Sequence, residues 1–496
     1  MSILIYFVVA PVAAAMLTAL LNSRLKDRLS SVSSLTASSL AVLSFYCVFL
    51  VSSSGARSFK IGGWMPSMGI SLVIDGFSGM TLVLVNVICF LILLYSAGYM
   101  RIYTEEWKFY SLFMLMLAGM NGVILSADIF NLYVFLEVTS IAGYVLVAFG
   151  IRPEDLEASF KYLIMGTIAS ILILLSIAFL YSYTSTLNMS DMAQAIWAKP
   201  AGLLINFVTV LLLAGFGLKA ALVPFHAWLP DAHSSAPSPV SAALSGVVIK
   251  VLGIYALSRV FFNVVGASGK LLTALMFLGA LSMIIGALLA ATQSDIKRMF
   301  AYSSISQVGY IVFALGVGTP LAMLGALFHL FNHATAKSLL FLNAGAIEQA
   351  TGTRDLNRMG GLNSSMPVAG FSSLMASMSI SGMPPLAGFW SKLLIIVAAV
   401  QAGHIAFSAV AVITSIITLV YYLRFQTTAF FGSAVQGKAE GYKMTFGMQF
   451  SMFILGIICL GAGLLLLPSL RDFFNQGVDV LISGINYRDA ILGAAR

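Results

Sequence analysis

The stretch "GLKAALVPFHAWLPDAHSSAPSP", Gly217 to Pro239, decides the fold. It opens where the apolar run Leu203–Leu218 ends, on the lysine Lys219, and reaches a proline, Pro224, five residues later. A run that apolar belongs in hydrocarbon. A charge and a helix breaker side by side in such a run need a reason. Composition supplies the context: the chain of 496 residues is 60% hydrophobic and 9% charged, against about 25% charge in soluble domains. A span needs roughly 20 apolar residues to cross the hydrocarbon, and fourteen stretches qualify, from 2–22 to 447–469. The reading is an all-α polytopic membrane protein. Its formal charge of +8 forms no basic stripe or tail, which excludes a nucleic-acid partner. "GFGLKA", Gly215–Ala220, fits a loose dinucleotide fingerprint, but no strand precedes it and it lies inside a span.

The positive charges orient the spans. The first apolar run precedes Arg24, Lys26 and Arg28. A cleaved leader has its charges before the run, so an uncleaved span with its N-terminus outside is expected. The inner loops then hold twelve lysines and arginines, including Arg101, Lys108, Arg152, Lys297, Arg298, Arg354, Arg358, Lys438 and Lys443, and the outer loops hold seven, including Arg57, Lys60, Arg488 and Arg496. This inside excess follows the positive-inside rule.

Two spans are irregular. Residues 201–229 contain Pro224, and residues 366–400 contain "SGMPPLAGFWSK", Ser381–Lys392. The second has 35 residues and would be about 53 Å long as a straight helix, so it must tilt or break. Broken spans survive only where they line protein or water, and a pair of them points to an ion path. No internal repeat is visible by eye.

Charge inside hydrocarbon costs about 2.5–3.5 kcal/mol even on lenient scales. Glu137 is the one acid in mid-span; Asp75 and Asp128 read as interfacial. Lys219, Lys250 and Lys392 sit in apolar runs, and Lys219, beside Pro224, is the expected partner of Glu137. His329, His333 and Lys337, in "HLFNHATAK", recur every fourth residue and share one helix face. Histidines titrate near neutral pH, so this face suits a proton relay. A metal site would need a third ligand, and no acid or cysteine is near, so neither metal nor cofactor is expected. Cys47, Cys89 and Cys459 are isolated core residues, and the hydroxyl-rich "YSSISQ", Tyr302–Gln307, suits ordered water or helix contacts.

"LKAALVPFHAWLPDAHSSAPSPVSAALSGVVIKVLGIYAL" (Leu218–Leu257), "SADIFNLYVFLE" (Ser126–Glu137), "DIKRMFAYSSISQVGY" (Asp295–Tyr310) and "SGMPPLAGFWSKL" (Ser381–Leu393) together resemble one family. It comprises the antiporter-like subunits of proton-pumping NADH:quinone oxidoreductase, of Mrp Na+/H+ antiporters and of membrane-bound hydrogenases. The resemblance implies fourteen helices with two inverted five-helix repeats, each holding a broken helix. The chain would divide into 1–108 (helices 1–3), 109–262 (first half), 263–431 (second half) and 432–496 (helix 14 and tail). It implies proton translocation along Glu137, Lys219, Lys250, His329, His333, Lys337 and Lys392. It further implies homologous and small membrane subunits as partners, a peripheral iron–sulfur arm in the redox-driven members, surrounding lipid, and a place in the cell (cytoplasmic) membrane. A standalone antiporter, a quinone-binding electron-transfer subunit and a packing scaffold are the rival readings.

Overall fold

The structure, a computed structural model, describes residues 3–21, 28–64, 69–199, 202–432 and 442–482. Arg24, Lys26, Lys438, Arg488 and Arg496, used above to orient the chain, lie outside the described residues. Helices dominate because hydrocarbon offers backbone groups no partner, and a helix satisfies them internally. Three uninterrupted helices, α1 (Ile3–Leu20), α2 (Leu29–Ser54) and α3 (Gly76–Tyr99), come first. A short hairpin, β1 (Arg57–Lys60) with β2 (Ser71–Ile74), separates α2 from α3. Residues 71–74, which open the apolar stretch 71–97 counted among the fourteen, are therefore strand. Asp75 stops the strand and caps α3, its carboxylate accepting from the Ser78 amide while the Ser78 hydroxyl accepts from the Asp75 amide, a capping box.

Then follow α4 (Glu106–Leu125), α5 (Ile129–Val147), α6 (Pro153–Thr184), the short α7 (Met189–Trp197), α8 (Leu203–Lys219), α9 (Trp228–Ser235) and α10 (Ser238–Val265). The remainder is α11 (Gly269–Ala291), α12 (Ile296–Val317), α13 (Pro320–Thr351), α14 (Pro367–Ser381), α15 (Ala387–Gln401), α16 (Ile405–Ala429), α17 (Phe446–Gly461) and α18 (Asp472–Ile482). Among the described residues eleven helices are long and apolar enough to cross a membrane. The polar α13 and the interrupted pairs α8/α9 and α14/α15 bring this to a number consistent with fourteen spans. The breaks fall at residues 220–227 and 382–386, where Pro224 and the Pro384–Pro385 pair stand.

The repeat that is invisible in the sequence shows in the backbone. Just before α5, Ile129 donates its amide to Leu187 and Ala127 accepts from Met189, at 3.0 Å each. Just before α12, Ile296 donates to Arg354 at 3.1 Å and Ser294 accepts from Leu356 at 2.9 Å. Asp128 and Asp295 cap the two helices that follow. Five crossings separate these matching bridges, so they lie at opposite ends of the bundle, as inverted repeats require.

α10 is the most enclosed of the long apolar helices among the described residues. Its apolar window is wholly buried, and it is wound wide, with π turns at Leu244–Val248, Lys250–Tyr255 and Phe261–Val265. Such turns are rare and concentrate at functional sites. Gly253 lies against the backbone of Ala220, in the first break, and Gly246 against Ser338 of α13.

α11 and α12 meet backbone to backbone, because small residues let helices in a membrane approach closely. A methyl group on Gly279 would strike the Phe313 backbone, and one on Gly309 would strike that of Met283. Gly279→Val is expected to cost about 1–3 kcal/mol by overpacking and to lower the thermal unfolding midpoint of the detergent-purified protein. Gly269→Ala, with nothing within 4 Å, should leave that midpoint in place.

Candidate functional site

Lys219 is the last residue of α8, so its ammonium sits by the carbonyl end of a half-helix, where a cation is favoured. Its side chain is 3% exposed. It donates to Ser140 Oγ at 2.8 Å and lies 3.5 Å from Glu137 Oε1. Glu137 and Ser140 are one turn apart on α5, and the Ser170 hydroxyl of α6 donates to the same Glu137 oxygen. Three helices thus converge on one acid–base pair, and the pair expected from the sequence is in contact.

Among the described residues no acid pairs with Lys250, Lys337 or Lys392. Lys250 donates to the Ser245 carbonyl. The Ser245 hydroxyl meets that of Ser304 at 2.8 Å, and Ser304 donates in turn to the Phe300 carbonyl at 2.8 Å. Lys337 reaches the same carbonyl at 2.9 Å. A short polar bridge of two serines and a carbonyl therefore joins Lys250 to Lys337. Lys392 donates to the Ser381 carbonyl at 3.3 Å, at the C-terminal end of half-helix α14, and to Ser415 Oγ at 3.2 Å. Its Nζ is 4.8 Å from the centre of the Tyr310 ring, a cation–π contact. Carbonyls, hydroxyls and ring faces do for these three ammonium groups what carboxylates do elsewhere.

Between Lys337 and Lys392 lie the two histidines, fully buried, their rings 6.3 Å apart and nearly parallel. His329 Nδ1 meets Ser391 Oγ at 2.8 Å, and neither nitrogen of His333 has a protein partner. The seven residues do not form one unbroken chain: no hydrogen bond among the described residues links Lys219 to Lys250 or Lys337 to His333.

The structure adds residues that sequence reading passed over. His233 is fully buried and stacked on Phe341 at 4.7 Å, with both ring nitrogens lacking a protein partner. The cations of Lys250, Lys337 and Lys297 act on it electrostatically. Its position in "PDAHSSAP", just past the first break, was the available signal. Near it, at the end of the bundle carrying Arg101, Arg152 and Arg354, a cavity of about 610 Å³ is lined by Tyr99, Tyr103, Arg152, Lys297 and Glu348. Lys297 pairs with Glu348 at 3.2 Å, and Asp231 holds both Lys161 (2.9 Å) and Arg298 (2.8 Å). That carboxylate ties α6, α9 and α12 together.

Asp75, expected at a span's edge, caps the start of α3 and is 1% exposed there, paired with the equally buried Arg259 of α10 at 2.8 Å. Tyr255 and Asn263 also receive the guanidinium, at 3.0 and 3.2 Å. Position along the chain placed Asp75 at a span's edge; only the packing of hairpin, α10 and α18 over that edge buries it.

Fold and site together define a polytopic α-helical membrane protein with two broken spans and a buried row of lysines and histidines between them. Residues 126–418 match the family model described as NADH:quinone oxidoreductase/Mrp antiporter, TM, and residues 64–117 match that of the complex I chain 5 N-terminus. The chain belongs to this NADH:quinone oxidoreductase/Mrp antiporter family. It is 38% identical over 432 residues to NADH-quinone oxidoreductase subunit N of Desulforudis audaxviator, covering 85% of each chain. It is 36% identical over 394 residues to a Na+/H+ antiporter subunit of Alkalihalophilus pseudofirmus, covering 79% of this chain and 80% of that one. A chain of the Mrp complex from Dietzia sp. DQ12-45-1b superposes with a TM-score of 0.91 at 26% identity over 99% of both chains.

Proposed function

We propose that this chain is a proton- or Na+/H+-translocating subunit of a multisubunit complex in the cell membrane. Its halves, 109–262 and 263–431, each supply one broken helix. The described parts of 1–108 and 432–496, among them α1–α3 and α17–α18, pack around them. The observation that carries this reading is the buried row Lys219, Lys250, Lys337 and Lys392, in which, among the described residues, Lys219 alone meets a carboxylate. Desolvation pushes a lysine toward its neutral form and a nearby carboxylate pulls it back, so Glu137 and Lys219 form a pair whose protonation depends on their separation. Protons enter at the basic, inward-facing end, where the cavity by Lys297 and Glu348 lies close to His233. They load the central lysines, pass His333 and His329, and leave by Lys392.

Glu137 supports a complex over a standalone carrier. Its side chain is 26% exposed in the middle of a span, on a face with the exposed Phe130, Val134 and Ile141. Pro384 and Pro385 of the second break are exposed as well. Neither a carboxylate nor irregular backbone is stable against lipid, so homologous and smaller membrane subunits cover these places. The drive comes from those partners, either a peripheral iron–sulfur arm or a Na+ counter-gradient. An iron–sulfur subunit co-purifying with the chain, or its absence, separates the two.

Lys250→Met is the direct test. It keeps the methylene packing and deletes the charge. In proteoliposomes with a lumenal pH dye, the assembled variant complex should lose on the order of 100-fold in proton translocation. Its stability should be unchanged or raised, because a buried charge without an acid partner is removed. A wild-type rate would refute the reading. A large loss of stability would assign Lys250 to packing instead.

A further inference from the structure

The histidine row is not the best-connected route between Lys337 and Lys392. Lys337 donates to Tyr422 OH at 2.9 Å. Tyr422 OH lies 3.0 Å from Ser303 Oγ, and Tyr421 OH lies 2.8 Å from the same oxygen. These four groups are all buried and make a continuous hydrogen-bonded line. At the far end, Tyr310 lies under Lys392 and donates to the Ala411 carbonyl of α16, and Ser415, on the same helix, meets Lys392 at 3.2 Å. One gap remains, between Tyr421 and the Tyr310–Ser415 pair.

Two orphaned polar groups flank that gap. Gln307 stands between Ser303 and Tyr310 on one stripe of α12. It is fully buried, and neither its amide nitrogen nor its oxygen has a protein partner. Thr414 of α16, next to Ser415, is fully buried with its hydroxyl likewise without a partner. Leaving such groups unsatisfied is unfavourable in a dry interior. Water meets the need where several polar groups converge.

Building on the proton-translocation reading above, we propose that Tyr422, Ser303, Tyr421 and Tyr310, completed by water held on Gln307 and Thr414, form a second proton-conducting line from Lys337 to Lys392, parallel to His333 and His329. The proton leaving the Lys337 ammonium is matched by one delivered to the Lys392 amine. Each hydroxyl gives one proton and takes one, so it ends unchanged. No group on the line needs to carry a lasting charge, which suits tyrosine and serine in a dry interior.

The test uses the assembled complex in proteoliposomes. His329→Asn/His333→Asn should retain measurable proton translocation. Adding Ser303→Ala or the near-isosteric Tyr421→Phe should then remove at least about tenfold of what remains. In the wild-type background, Tyr421→Phe should also change the solvent deuterium isotope effect, which a packing role would not move. The proposal is overturned if Ser303→Ala and Tyr421→Phe leave the histidine variant's rate and the isotope effect unaltered. It is equally overturned if the assembled histidine variant is already at background. Lys219→Ala in parallel separates the two ideas: a normal rate there refutes proton translocation itself, whereas its loss alongside silent hydroxyl variants refutes the second line alone.

Discussion

Lys219→Ala should abolish ion translocation, by on the order of 100-fold or more, in a complex that still assembles. The geometry separates function from folding at this position. Lys219 ends a half-helix, and the backbone after it is already irregular, so truncating the side chain breaks no helical turn. Glu137 keeps the Ser170 hydroxyl as a donor, so the variant does not leave the carboxylate without a hydrogen bond. The loss is of a buried cation whose ionisation Glu137 can tune. Glu137→Ala should give the same loss by the converse route, leaving Lys219 with Ser140. Dye-reported pH change in proteoliposomes, with subunit content checked on the same preparation, decides it. Transport at the normal rate by either assembled variant would sink the mechanism.

The second large effect is on stability. Arg259→Met should cost about 3–5 kcal/mol, the penalty for stranding one member of a buried ion pair. Asp75 would lie 1% exposed without its cation, and the capping of α3 would weaken with it. The Tyr255 and Asn263 contacts that hold the wide-wound end of α10 would go too, and with them the link from Asn263 to the Val480 carbonyl of α18 at 2.7 Å. The expected result is a lower unfolding midpoint and poor recovery of the complex. Adding Asp75→Asn should restore part of the loss, because the stranded charge is then gone. An unchanged midpoint for Arg259→Met would show that the pair carries no net stability.

Much of the site was legible because hydrocarbon makes charge conspicuous. Glu137, Lys219, Lys250 and Lys392 stand out against apolar runs on solvation cost alone, and the four-residue spacing of His329, His333 and Lys337 places them on one face. Tyr310, Tyr421 and Tyr422 do not stand out, since tyrosine is ordinary in a span. Their grouping depends on how α12, α13 and α16 pack. His233 hid for a similar reason, its neighbours coming from α10, α12 and α13.

By itself the sequence determined that this is a many-span helical membrane protein, with two broken spans and costly charges kept inside. Those conclusions depend on local quantities: hydropathy over a span, the reach of a helix and the effect of proline. Tertiary structure alone decided which ammonium meets an acid and which rests on carbonyls and rings. It also decided that Asp75 is buried, and that the halves share one inverted hydrogen-bond scheme. These depend on distances between residues tens to hundreds of positions apart, and such distances exist only once the helices have packed.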